Sequence, residues 1–183
     1  MDNGAGSYRR FLNGEESAFD ELMEEYFRKL VFFIDRYVHD VPTAEDIAID
    51  VFSDLIVHRH RYNFKVSMKT YLFMLGRSRA LDALRRRKVL QTVELQEAAE
   101  LSDEEDALEE LVLADERKRA VSAALARLPE DMRVAVHLVY LEGLSYDEAA
   151  RIMKKTAKQV DNLLYRAKKE LRIILGEDGE RLL

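Results

Sequence analysis

Apolar residues recur every three or four positions through most of the chain, which is the spacing of one face of an α-helix. In the first half, this spacing predicts helices over residues 18–38 and 68–88. Between them, a helix is predicted to begin at Thr43, whose hydroxyl caps it with Asp46 as the reciprocal partner, and its apolar stripe ends at Ile56. No segment shows the strict alternation of a β-strand, so the chain is expected to be all-α.

The second half shows the same periodicity with clearer helix boundaries. Ser102 and Glu105 form a capping box that starts a helix running to about residue 127. Pro129 lies in the first turn of the next helix, where its missing N–H costs nothing, and Gly143 is predicted to end that helix in a left-handed conformation. The helices therefore fall into two groups, one in each half of the chain.

Residues 145–172, SYDEAARIMKKTAKQVDNLLYRAKKELR, carry two capping boxes eleven positions apart. Ser145 pairs with Glu148 and Thr156 pairs with Gln159, so two helices are predicted with a tight turn between them. Their apolar residues share an inner face, which is typical of a helix-turn-helix. The opposite face of the second helix carries Lys158, Asp161, Asn162, Tyr165, Arg166, Lys168, Lys169 and Arg172.

This outer face combines cations, which neutralise phosphates, with amide and guanidinium groups, which read base edges. An ordinary solvated helix is the alternative, because charged faces at helical spacing are usually only that. The capped helix that precedes it favours DNA contact.

The net charge of −6 conceals a separation of charge along the chain. Residues 69–90 carry seven cations and one acid, residues 91–116 carry eleven acids and no lysine or arginine, and residues 151–172 carry eight cations and two acids. Two basic segments therefore flank an acidic one. A protein that binds DNA through part of its surface does not need a basic total.

Composition narrows the remaining function classes. The absence of cysteine excludes disulfides and thiolate metal sites. The longest apolar runs are too short to span a bilayer, and the first residues, MDNGAGSYRRF, lack the apolar stretch of a signal peptide. We therefore expect a cytoplasmic protein with no membrane segment, no cofactor and no catalytic residue.

A catalytic metal site is an alternative to DNA binding. Asp50, Asp54 and His58 stand four positions apart on one helical face, with His60 nearby, and together they offer ligands for a divalent cation. Acids at this spacing usually face solvent, and no second motif supplies further ligands. No metal site is therefore predicted.

Several stretches, taken in order, resemble the sigma-70 family of RNA polymerase factors, in its small extracytoplasmic-function type. In the first half they are AFDELMEEYFRKL, AEDIAIDVFSDL and TYLFMLGRSRALDALRRRK, and in the second half ALARLPEDMRVAVHLVYLEGLSYDEAARIM followed by the recognition helix. The resemblance covers residues 8–175. It implies a sigma-two domain over residues 1–90, an acidic linker over 91–115 and a sigma-four helix-turn-helix domain over 116–183.

A factor of this type docks on core RNA polymerase, directs it to promoter DNA and helps to separate the strands. The resemblance implies that the minus-thirty-five element is read in the major groove, through Thr156, Lys158, Gln159, Asp161, Asn162, Tyr165, Arg166 and Lys169. It implies that the minus-ten element is read as a separated strand, through Tyr62, Phe64, Lys69, Tyr71, Arg77, Ser78, Arg85 and Arg86. Core polymerase is expected to contact Asp46, Ile47, Asp50, Val51, Phe52, Asp54 and Leu55.

Some positions depart from the family pattern. Tyr71 stands where the family usually has tryptophan, Ser78 where it usually has asparagine, and Lys154 where glycine is common. Asp161 and Leu163 stand where basic residues are frequent. The family's base preferences are therefore not transferred to this chain. For the aromatic residues of the minus-ten set, plain core packing is the alternative, weaker for Tyr62 than for Tyr71.

A helix-turn-helix repressor or activator that binds duplex DNA as a dimer, without polymerase, is the alternative to a sigma factor. It explains the second half of the chain but neither the basic helix predicted over residues 68–88 nor the acidic linker over 91–115. The sigma interpretation implies a monomer when free and, by family habit, an anti-sigma factor that holds both domains. The alternating charge also suggests that Glu104, Glu105 and Asp106 lie against residues 85–88 or the recognition helix in the free protein.

Overall fold

A computed structural model of the chain describes residues 3–94 and 116–175. By contacts between Cα atoms the chain divides into two compact units, Met1–Asp103 and Glu104–Leu183. All regular structure in the described ranges is helical, in agreement with the predicted all-α class. No helix in these ranges combines the length and the apolar character needed to cross a membrane.

Four helices build the first unit: α1 (Asn3–Leu12), α2 (Ser17–Val38), α3 (Val41–Val57) and α4 (Met68–Glu94). Helix α2 is central and packs against the other three, while α3 and α4 also contact each other. The core between them is aliphatic and aromatic, with Leu22, Leu30, Phe33, Ile34, Phe52, Leu55, Leu72 and Phe73 almost fully buried. Burial of this apolar surface is the main stabilising contribution to the unit.

Helix α1 was not predicted from the sequence. Gly4 and Gly6 weaken its intrinsic helix propensity, and too few apolar residues are present to show a period. The helix is stabilised by docking instead, since Tyr8 is fully buried and Phe11 is 6% exposed. Tertiary packing therefore overrides the local signal.

The start of α3 differs from the prediction. Asp40 caps this helix, because its carboxylate accepts a hydrogen bond of 2.8 Å from the backbone N–H of Thr43. Thr43 lies inside the first turn, so its predicted role as the cap is wrong. The first turn tolerates Pro42, which has no N–H to leave unpaired, so the cap lies three residues earlier than expected.

The second unit comprises α5 (Glu116–Ala126), α6 (Glu130–Val136), a π-helical turn (His137–Leu141), α7 (Tyr146–Met153) and α8 (Ala157–Leu175). Helix α8 packs against α5, α6 and α7. Gly143 has a φ of 67°, so the predicted left-handed end after the turn is confirmed. The predicted capping box of Ser102 with Glu105, and the acids at 104–106, lie outside the described residues.

Two glycines in α1 face different surroundings. A Cβ on Gly4 would lie 2.7 Å from the ring and hydroxyl of buried Tyr26, whereas nothing lies within 4 Å of one on Gly6. Gly4→Ala is expected to loosen α1 because overpacking, about 1–3 kcal/mol, exceeds the gain in helix propensity of about 1 kcal/mol. Gly6→Ala meets no such clash, so only the gain in helix propensity remains and the change is expected to stabilise α1. Amide hydrogen exchange in α1 measures both, and slower exchange in Gly4→Ala would contradict the packing.

Asp35 is a buried carboxyl in α2, 9% exposed. Burial raises the pKa of Asp35, and the charge interactions with Arg36 and His39 partly oppose this shift. Because the folded pKa lies above the unfolded one, the charged form costs stability at neutral pH, and the cost fades as pH falls through the folded pKa. Asp35→Asn should therefore raise the free energy of unfolding at pH 7 and have less effect near pH 4.5.

The control for this prediction is Glu24→Gln, an exposed change on the same helix. Urea unfolding at both pH values measures the two variants. A benefit of Asp35→Asn that did not shrink on acidification would contradict the assigned pKa direction.

Lys154 ends α7 in a left-handed conformation, with φ 54° and ψ 46°. That conformation costs a side-chain-bearing residue roughly 1–2 kcal/mol, more than the extra backbone entropy of glycine, about 0.5–1 kcal/mol. Lys154→Gly is expected to raise the stability of the second unit by about 0.5–1 kcal/mol. Lys158→Gly, in the first turn of α8, should lower it instead. Exchange protection in α7 and α8 distinguishes the two, and a loss in both would contradict strain at Lys154.

Candidate nucleic-acid and polymerase interfaces

Both capping boxes of the helix-turn-helix are present. The N–H of Glu148 donates to Ser145 Oγ at 3.3 Å, and the N–H of Ser145 donates to Glu148 Oε2 at 3.0 Å. The N–H of Gln159 donates to Thr156 Oγ1 at 3.2 Å, and the N–H of Thr156 donates to Gln159 Oε1 at 2.8 Å. The predicted starts of α7 and α8 are therefore confirmed.

The turn between α7 and α8 is closed by backbone and ionic contacts. The N–H of Lys155 donates to the carbonyl of Ala150 at 2.9 Å, which is the hydrogen bond of a helix ending in a left-handed residue. The ammonium of Lys155 lies 3.0 Å from the carboxylate of Asp131 on α6. These contacts fix the angle at which α8 leaves the turn.

Helix α8 has a buried face and an exposed face, as its period predicts. Val160, Leu164, Ala167 and Leu171 are buried against the other helices of the unit. The eight residues predicted for the minus-thirty-five element are all exposed, and Tyr165 is 74% exposed. Thr156 and Gln159 bind each other at the helix start, so the side chains open to a ligand are Lys158, Asp161, Asn162, Tyr165, Arg166 and Lys169.

An aromatic cluster lies around the loop that joins α3 to α4. Tyr62 is 3% exposed, and its hydroxyl donates to the carbonyl of Val66 at 2.6 Å. Its ring centroid lies 4.6 Å from that of Phe64 and 4.9 Å from that of Tyr71. Core packing was expected to be the weaker interpretation for Tyr62 than for Tyr71, and this ranking is wrong, because Tyr71 is only half-buried.

Phe64 and Tyr71 carry signs of local constraint. Phe64 adopts a left-handed backbone conformation with φ 61°, which is uncommon for an aromatic residue and costs about 1–3 kcal/mol. The hydroxyl of Tyr71 is buried without a hydrogen bond to the described residues, and burial raises its pKa, with Asp54 adding to the effect. Burial likewise raises the pKa of Tyr8 to about 12. These phenols stay neutral at physiological pH.

The four cations and the serine predicted for the minus-ten element lie along α4. Lys69 and Arg77 are half-buried, whereas Ser78, Arg85 and Arg86 are exposed. The guanidinium of Arg85 pairs with Asp82 at 2.7 Å, an exposed contact that contributes little stability and leaves the group accessible. The second half of α4 therefore presents positive charge to solvent.

Helix α3 divides the seven residues predicted to contact polymerase. Ile47, Val51, Phe52 and Leu55 are buried in the unit, and only Asp46 and Asp50 are exposed. The side chain of Asp54 is 14% exposed and lies 3.2 Å from the guanidinium of Arg61 and 3.4 Å from that of Arg79. Asp54 thus joins α3, the loop and α4, and it is mainly a structural contact.

Exposed apolar residues on α3 were not identified from the sequence. Ile49, Ile56 and Val57 are 51%, 42% and 73% exposed. The prediction that Ile56 belongs to the apolar stripe is wrong, because its side chain lies on the exposed face of α3. The signal that was available is Ile49, an isoleucine that falls off the apolar stripe between the exposed acids.

The residues of the alternative metal site do not form a cluster. Asp54 is occupied by two guanidinium groups, and the Nε2 atom of His58 lies 3.5 Å from its carboxylate. Among the residues that the structure describes, no three histidine, aspartate or glutamate side chains are grouped as metal ligands would be.

Comparison with known proteins relates these surfaces to two sequence families. Residues 22–89 match Sigma-70 region 2, and residues 118–171 match Sigma-70, region 4. The RNA polymerase sigma-H factor of Pseudomonas aeruginosa is 30% identical over 172 residues, covering 88% of each chain. The ECF RNA polymerase sigma-E factor of Escherichia coli is 31% identical over 176 residues, again covering 88% of each chain.

Solved structures show the same fold. The sigma factor RpoE of Bartonella quintana, solved in complex with the anti-sigma factor NepR, has a TM-score of 0.67 at 21% identity and covers 87% of this chain and 98% of its own. CnrH, solved with the cytosolic domain of CnrY, has a TM-score of 0.62 at 18% identity and covers 96% of each chain. Together with the sequence matches, these findings identify the chain: it belongs to the extracytoplasmic-function group of the sigma-70 family of RNA polymerase sigma factors.

Proposed function

We propose that this sigma factor binds core RNA polymerase in the cytoplasm and selects promoters by two separate contacts. Helix α8 reads the minus-thirty-five element as duplex DNA, and α4 with its preceding loop reads the minus-ten element as a separated strand. The observation that carries the proposal is the exposed face of α8, which holds six unburied polar side chains on a helix whose start is fixed by the capping box of Thr156 and Gln159.

The side chains of that face suit a major groove. Asn162 matches adenine, Arg166 matches guanine, and the ring of Tyr165 can contact a thymine methyl while its hydroxyl reaches a phosphate. Lys158 and Lys169 provide charge for phosphates. The free backbone N–H groups at the start of α8 favour phosphate as well.

The first unit offers stacking and charge for a single strand. Phe64 and Tyr71 are half-buried, so part of each ring is available to a base, whereas buried Tyr62 supports them from beneath. Ser78, Arg85 and Arg86 are exposed on α4 and provide polar and cationic contacts along the backbone of the strand. Aromatic faces beside cations are the usual arrangement for single-stranded DNA.

Core polymerase is proposed to dock on α3. Asp46 and Asp50 present two carboxylates on the outer face, and Ile49 and Ile56 present apolar surface beside them. Acids around a small apolar patch suit a basic partner surface, with charge giving orientation and apolar burial giving affinity. The buried residues of α3 act indirectly by holding this face in place.

A protein inhibitor is a further proposed partner. The two solved neighbours were each determined with a second protein, NepR described as an anti-sigma factor and CnrY represented by its cytosolic domain. We propose that an anti-sigma factor holds this chain as well and that the free chain is a monomer. The alternative of a dimeric duplex-binding regulator is not favoured, because it gives no role to the first unit, which matches Sigma-70 region 2.

The function is tested by transcription from fragmented genomic DNA with core polymerase of the same organism, with and without the protein, and by mapping each new start. Starts that share two upstream sequence blocks are expected. Absence of new starts, together with tight duplex binding without core polymerase, would instead support the dimeric regulator.

Two exposed substitutions on α8 then separate base reading from phosphate binding. Arg166→Ala should cost about 1–3 kcal/mol on the best promoter and relax selectivity at one base pair of the minus-thirty-five block. Lys158→Ala should weaken all promoters similarly and lower the slope of log affinity against log salt by about 1. Holoenzyme binding to single-base promoter variants measures both, and identical profiles for the two proteins would contradict these assignments.

A further inference from the structure

Helix α1 contacts the loop between α3 and α4 through a buried hydroxyl. The Tyr8 hydroxyl lies 3.0 Å from the carbonyl oxygen of Leu55 and 2.9 Å from that of Arg59, and it donates its one hydrogen between them. Leu55 is in the last turn of α3, where carbonyls lack intrahelical partners, and Arg59 follows the helix. The Tyr8 hydroxyl thus supplies a hydrogen-bond donor to the carbonyls at the end of α3 and holds the first residues of the loop in place.

The next residue of α1 contacts the centre of the loop. The guanidinium of Arg9 lies over the ring of Phe64, 4.8 Å from its centroid, and the ring of Tyr8 lies 6.3 Å from the same ring. Phe64 is the residue held in a left-handed conformation. A strained aromatic residue persists only where its surroundings hold it, and two of the contacts that do so here come from α1.

A third contact between α1 and the loop joins Phe11 to Arg59. The guanidinium of Arg59, whose carbonyl accepts from Tyr8, lies 4.9 Å from the ring centroid of Phe11. The opposite side of α1 packs on α2, where Ser7 Oγ donates to Glu21 at 2.8 Å, and the exposed pair of Arg10 with Glu21 adds little to this packing. Helix α1 therefore links the loop to the central helix of the unit.

We propose that Tyr8 and Arg9 are positioning residues that hold Phe64 and the loop in the conformation that receives the separated minus-ten strand. They act through the loop and do not themselves contact DNA. The inference rests on the proposed minus-ten reading and extends it to a helix outside the residues 22–89 that match Sigma-70 region 2.

Three variants of the full chain test the proposal. Tyr8→Phe removes only the hydroxyl, and Arg9→Ala removes the cation over Phe64. Arg10→Ala is the matched control, since it makes the same charge change on the same helix but its contacts go to Glu15 and Glu21. Those pairs are exposed and contribute little stability, so the control should fold normally.

The first measurement is independent of DNA. Trypsin cuts after Arg59, Arg61 and Lys65, which are exposed in the loop. Under limiting protease, cleavage there should be about fivefold faster in Tyr8→Phe and Arg9→Ala, the change expected for loss of one contact, and unchanged in Arg10→Ala. Thermal unfolding should lower the midpoint of Tyr8→Phe by no more than a few degrees relative to Arg10→Ala, as expected for loss of one hydrogen bond, and this small shift excludes a general loss of fold.

The second measurement uses holoenzyme and a forked DNA probe that carries the minus-ten block found by transcription mapping. Binding should weaken about fivefold in Tyr8→Phe and Arg9→Ala, with duplex minus-thirty-five binding and core binding unchanged. The salt slope of Arg9→Ala should equal that of wild type, because no phosphate contact is lost. Arg9→Lys keeps a cation over the ring and should recover most of the binding.

Wild-type cleavage rates and forked-probe binding in Tyr8→Phe would overturn the proposal. A lower salt slope in Arg9→Ala without faster cleavage would also overturn it, since that result assigns Arg9 to direct phosphate contact. If wild-type holoenzyme yields no promoter-specific starts, the proposed function itself fails. Normal starts with unaffected variants reject only the positioning role.

Discussion

The unpaired backbone groups at helix ends constrain this protein more than any other feature. Every α-helix leaves N–H groups at its start and carbonyls at its end without intrahelical partners, and a chain of many helices has many such ends. Here they are satisfied by Asp40, by the two capping boxes, by left-handed residues at His39 and Lys154, and by the buried hydroxyl of Tyr8. Each solution also fixes the direction of the next segment, so the proposed interfaces depend on how helices end.

This dependence explains which parts of the fold were predictable. The starts of α7 and α8 were predicted correctly because each cap and its partner stand three residues apart, so all the information is local. Helix α1 could not be predicted, because the contacts of Tyr8 reach 47 and 51 residues along the chain. The sequence contains both partners but does not show that they meet.

The same distinction applies to the candidate sites. A helical period predicts which residues of α8 face outward, and their exposure is confirmed. No period exists in the loop after α3, so the burial of Tyr62 could not be predicted from its neighbours. On α3, Asp46, Asp50 and Asp54 follow the same four-residue spacing, yet Asp54 is held by Arg61 and Arg79 and the other two are exposed. Spacing assigns a face, whereas tertiary partners decide whether a charge on that face is available.

The two helices that carry the proposed contacts of the first unit have opposite outer surfaces. Helix α3 exposes carboxylates and isoleucines, and α4 exposes arginines, although the two helices pack directly against each other. Asp54 connects the two helices where they meet. Its carboxylate, mostly shielded from solvent, pairs with Arg79 of α4 and with Arg61 of the loop. Acidic and basic side chains therefore pair at the contact between α3 and α4, whereas the exposed surfaces of the two helices carry charges of opposite sign. This arrangement suits the proposed docking of a basic protein surface on α3 and of an anionic strand on α4, because each helix presents the charge opposite to that of its proposed partner.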